Sequence, residues 1–107
     1  MNDFNHTPHT DQRVVAFSEV RRIVAEQRGS KLFDEEAETL LDAASDMILA
    51  ADSGEVREAQ ETFDAQMDRL EADRWSEMVG TDAHPGTAIK LRRAFADCAP
   101  QPLPLAA

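Results

Sequence analysis

Several residue types are scarce in this chain, and each scarcity excludes something. The 107 residues include one cysteine, Cys98, so no internal disulfide can form, as suits a reducing cytoplasm. Leu, Ile, Val and Phe together number 22, and 17 of the remaining hydrophobic residues are alanine, so the interior is thin. A core of that size leaves no room for a large enzyme-type cleft. No uninterrupted apolar run has the length of a signal peptide or membrane span, which points away from a membrane and toward a cytoplasmic location. Tyrosine is absent and Val, Ile and Thr are few, which argues against a sheet. The four glycines, Gly29, Gly54, Gly80 and Gly86, are dispersed, so no Gly-rich phosphate loop exists.

Basic residues are also few. Eleven of them face 21 acids, a formal net charge of −10 that repels nucleic acid and excludes direct binding to it. The charge is uneven: residues 34–79 hold 15 acids and 3 bases, while each flank is close to neutral.

What is present is helical periodicity. The pattern predicts an all-α fold, a small helical bundle built on an antiparallel hairpin, with three long helices near 10–28, 34–52 and 54–79 and a short C-terminal one near 87–99. Residues 1–9 read as a flexible arm, 10–99 as one helical domain, and 100–107 as a Pro-rich, polyproline-like tail. Gly29 stops the first helix. Asp34 is the expected N-cap of the second, Ser53 of the third and Thr87 of the fourth. The expected core is Phe17, Val20, Val24, Leu40, Leu41, Ala44, Ile48, Phe63, Met67, Leu70, Leu91 and Phe95.

Two rows of carboxylates lie opposite the apolar stripes. Glu35, Glu38, Asp42 and Asp46 recur at spacing 3, 4, 4 on the second helix, and Glu58, Glu61, Asp64, Asp68 and Glu71 at 3, 3, 4, 3 on the third. Like charges at such spacings oppose folding. A basic partner surface, one that elsewhere meets nucleic-acid phosphates, would supply a reason for them; a plainly solvated face needs none. An analogy with small acidic helical proteins that imitate nucleic acid rests on class alone, since no motif carries it.

Trp75 falls on the side of the acidic row if the third helix runs to Val79. It is therefore a candidate partner anchor, together with Leu49 and Val79; the competing reading covers it with the fourth helix or the Pro-Leu tail. Lys90, Arg92 and Arg93 are too few for a nucleic-acid footprint and are expected to pair with the protein's own acidic helices or those of a second copy. His6 and His9 lack a third ligand at a recognised distance, no Glu-x-x-His occurs, and His84 has no base or nucleophile partner, so neither a metal nor another cofactor is expected. Cys98 lies on a buried edge near a helix C-terminus, where the dipole disfavours a thiolate.

Together these features point to a non-enzymatic interaction protein, an inhibitor or regulator docking carboxylates on a basic protein surface. The alternative is an assembly module, a homodimer held by apolar stripes that so thin a core leaves uncovered.

Overall fold

The computed structural model describes residues 8–100, with side chains described from Gln12 onward. The arm residues 1–7, with His6, and the tail 101–107 lie outside the described residues. The fold is all-α: α1 (Pro8–Gln27), α2 (Asp34–Leu49), α3 (Ser53–Ala72) and α4 (Thr87–Asp97), with a single 3-10 turn at Ser76–Met78 between the last two. No strand forms among the described residues. α2 packs on α3, α1 on α2, and α4 on α1. Phe63 of α3 and Phe95 of α4 close the ring, stacked with centroids 3.8 Å apart.

α1 begins two residues before the expected start, at Pro8. Proline suits a first helical position because its missing N–H would find no intrahelical acceptor there. The helix ends where Gly29 adopts φ +86°, and the Gly29 and Leu32 amides fold back to the Leu32 and Gln27 carbonyls, each at 2.9 Å. That tight turn drives Leu32 into the core, a loop residue with no periodicity to announce it.

The three expected caps are each displaced by one residue. Phe33 occupies the N-cap of α2, and its amide donates to Glu36 Oε1 at 2.9 Å, while Asp34 lies inside the first turn and pairs with Arg28. Asp52, rather than Ser53, caps α3 by accepting from the Glu55 amide at 2.9 Å. Glu55 accepts in turn from the Ala51 amide, so the Asp52 and Glu55 side chains together lock the α2–α3 turn. Gly86 precedes α4, and Thr87 is its first helical residue. Carboxylate and serine or threonine side chains all suit a cap; which one takes the role depends on where the chain leaves extended backbone.

Nine of the twelve expected core residues are fully buried, together with Ile23, Met47, several alanines, Trp75 and Cys98. Phe17, Leu41 and Ile48 are corrected to half-buried, packed on the edge of the cluster. Most of the apolar stripe residues are buried within one chain; among the described residues the large hydrophobic side chains left exposed are Val14, Val15, Phe33 and Leu49.

The largest departure is the end of α3. The helix stops at Ala72, seven residues short of the expected Val79, where the Trp75 amide folds back to the Leu70 carbonyl at 2.7 Å. Arg74 then turns to Glu36, its guanidinium 4.4 Å from the Phe33 ring centroid. The loop before α4 closes through Gly80 (φ +78°) and Gly86, whose amide donates to the Val79 carbonyl at 2.9 Å.

Candidate acidic interface

Helix geometry decides which carboxylates share a face. On α2, spacing 3, 4, 4 keeps Glu35, Glu38, Asp42 and Asp46 within a sector of about 80°, at 100° per residue. All four are exposed. Leu49, three residues beyond Asp46, falls in the same sector and is 74% exposed, as the sequence pattern indicated. The acidic row of α2 thus ends in one apolar side chain.

On α3 the two successive offsets of three turn the row by about 60° each, so its members spread over about 140°. The structure divides them accordingly. Glu58 faces α2 and lines a groove with Asp46, Leu49, Glu55, Ala59 and Thr62. Glu61 points to solvent. Asp64, Asp68 and Glu71 turn toward α4, where all three meet Arg92: Nη1 to Asp64 at 3.1 Å, Nη2 to Asp68 at 2.8 Å and Nε to Glu71 at 2.7 Å. Burial works against the Arg92 charge, but the hydrogen bonds to Glu71 and Asp68 outweigh it and hold the guanidinium above its ordinary pKa. Three of the five carboxylates of the α3 row thereby share one arginine of the same chain. The expectation that the α4 cations serve the protein's own acids holds for Arg92, and Arg93 lies 3.6 Å from Asp82.

Trp75 is withdrawn from the interface. It is fully buried, and its indole N–H donates to the Lys31 carbonyl at 2.9 Å. Extrapolating α3 to Val79 placed it beside the carboxylates; because the helix ends at Ala72, its side chain enters the core instead. Val79 is half-buried against the same cluster.

Sequence reasoning missed Arg13. Its guanidinium donates to the Cys98 carbonyl at 2.9 Å and to the Met47 and Ile48 carbonyls at 3.3 and 3.2 Å. It therefore bonds carbonyls at the C-terminal ends of both α4 and α2, where intrahelical donors run out; Met47 accepts in addition from the Ala50 amide at 3.4 Å. An arginine on the first turns of an amphipathic helix reads as solvated, and only the convergence of two helix ends reveals its role.

Cys98 is buried, and its thiol is pushed up to about 11 by that burial, with Arg13 opposing and Asp97 adding to the shift. Among the described residues no group of three His, Cys, Asp or Glu side chains is arranged to hold a metal, and no helix is long and apolar enough to cross a membrane. Comparison with family models, curated proteins and solved structures gives no significant match.

Proposed function

We propose that this is a non-enzymatic, cytoplasmic interaction protein that presents the acidic face of α2 and the adjoining start of α3 to a basic surface of a partner protein, inhibiting or regulating it. One observation carries the reading. Glu35, Glu38, Asp42 and Asp46 stand exposed in one sector and form no salt bridge among the described residues, Glu38 feeling only a longer-range attraction to Arg28, while Asp34, Glu36, Asp64, Asp68 and Glu71 each have one. Arginines serve the acids that flank this row on α2 and those that turn toward α4, and the row itself forms no such pair. Unpaired like charges at one-turn spacing cost folding energy, and in return they create a field that steers a cationic partner. Glu58 and Glu61 extend the face onto α3, and a surface that ordinarily receives nucleic-acid phosphates fits such a field.

The test is a pull-down from the native host at low and raised salt, with the wild-type chain beside E38K/D42K/D46K. Basic proteins captured by the wild type, released by salt and lost on the variant support the reading. Capture that is indifferent to both salt and charge reversal removes it.

The second reading, assembly of copies through apolar surface, has among the described residues the exposed Val14, Val15, Phe33 and Leu49 as material. Light scattering at raised salt, where charge repulsion is screened, decides it: a dimer mass supports assembly and a strictly monomeric mass rejects it.

A further inference from the structure

The outer face of α2 is more than a row of charges. Its acidic residues and Leu49 follow spacing 3, 4, 4, 3 over about 21 Å of helix, and the groove toward α3 adds Glu58 beside Leu49. A leucine 74% exposed at the end of such a row loses water only if something apolar is laid on it. The turn beside it is held by the Asp52 and Glu55 caps, so Leu49 is presented from a fixed backbone.

We propose that this face and groove receive a basic amphipathic helix of a partner protein, with one apolar side chain of that helix seated on Leu49 and its lysines or arginines opposite Asp46, Asp42, Glu38 and Glu58. This rests on the interaction reading above and names the partner's chemistry. Charge complementarity selects the cations. Spacing selects the helix: cations three and four residues apart on a helix repeat about every 5–6 Å and stay in step with the α2 row, whereas side chains on one face of a strand repeat about every 6.8 Å and fall out of step within three residues of the row. Leu49 supplies what a bare acidic face lacks, an end point that sets register.

The test uses the intact chain and two synthetic Ala-rich helical peptides with lysines at spacing 3, 4, 4. Three residues beyond the last lysine, one peptide carries leucine and the other serine. Calorimetric titration at low and moderate salt is expected to show the leucine peptide binding about ten-fold tighter, the share of one buried leucine. L49S, a change at an exposed position that leaves the core intact, should abolish this preference without changing the affinity for the serine peptide. D46N/E58Q should weaken both peptides and flatten their salt dependence. Equal binding of the two peptides to the wild type, or a preference that survives L49S, overturns the anchor. If that equal binding is steeply salt-dependent and lost in E38K/D42K/D46K, the anchor alone falls and the acidic-face reading stands. If neither peptide binds, both fall.

Discussion

Arg92 shows how one side chain sorts functional charge from structural charge. Of the nine carboxylates in the two rows, it takes three, and its own side chain is about 30% exposed, so the hydrogen bonds are only partly screened. Arg92→Met is expected to cost about 1–2 kcal/mol in urea denaturation, from charge-assisted bonds discounted for exposure. Arg93→Met should give no measurable loss, because its partner Asp82 is fully exposed and 3.6 Å away. Cys98 makes a second test. With its thiol raised from 9.0 to about 11, it stays protonated near neutral pH, and iodoacetamide should label it only after denaturation. Because the unfolded thiol ionises at the lower pH, stability attributable to this group is intact below about pH 9 and declines as pH rises toward 11. A Cys98→Ala chain should lose that part of the alkaline decline.

Helices and their connections differ in how strictly they constrain sequence. Phe63 is buried in α3 and stacks on Phe95, so Phe63→Ala should cost about 3–5 kcal/mol and threaten folding. Leu41 had the same standing in the apolar pattern, yet it is half-buried at the α1–α2 edge, and Leu41→Ala should fall below the 2–5 kcal/mol usual for fully buried leucine. Thermal melts of the two variants separate these outcomes. The loops give a sharper contrast. A Cβ on Gly29 meets nothing within 4 Å, so Gly29→Ala should cost only the left-handed backbone term of about 1–2 kcal/mol. A Cβ on Gly86 would collide with the Met78 backbone, and one on Gly80 with the backbone of His84 and Gly86. Either alanine should open the α3–α4 connection and cost more than the Gly29 change; equal costs at all three positions would contradict the closed loop.

Over the whole molecule, a net charge of −10 acts against compaction, and the acids of α2 and α3 carry much of it. Moderate salt should therefore raise the melting temperature of the wild type, since exposed like charges are screened beyond about 8 Å at physiological ionic strength. E38K/D42K/D46K should melt at or above the wild-type temperature in low salt and show a smaller salt effect, while binding is lost. A variant that melts lower than the wild type would show that the carboxylates serve folding, and the argument for a bare functional face would fail.

Four helices, their order and the antiparallel hairpin were legible because local rules govern them: the apolar recurrence of Ala37, Leu40, Leu41, Ala44, Met47 and Ile48 along α2, glycine at turns, carboxylates at helix starts. The acidic row of α2 and exposed Leu49 were legible too, since both follow from 100° per residue within one unbroken helix. What tertiary structure decided lies where that periodicity is broken or where separate helices meet. The end of α3 at Ala72 decided between the two readings of Trp75 in favour of burial, with Glu36 receiving Arg74 and the Lys31 carbonyl receiving the indole, both remote in sequence from these partners. The pairing of Arg92 with three residues of α3, and of Arg13 with the ends of α2 and α4, likewise depends on which helices become neighbours. A single chain records how many charges each helix carries, but only packing determines which of them find a partner and which are left facing outward.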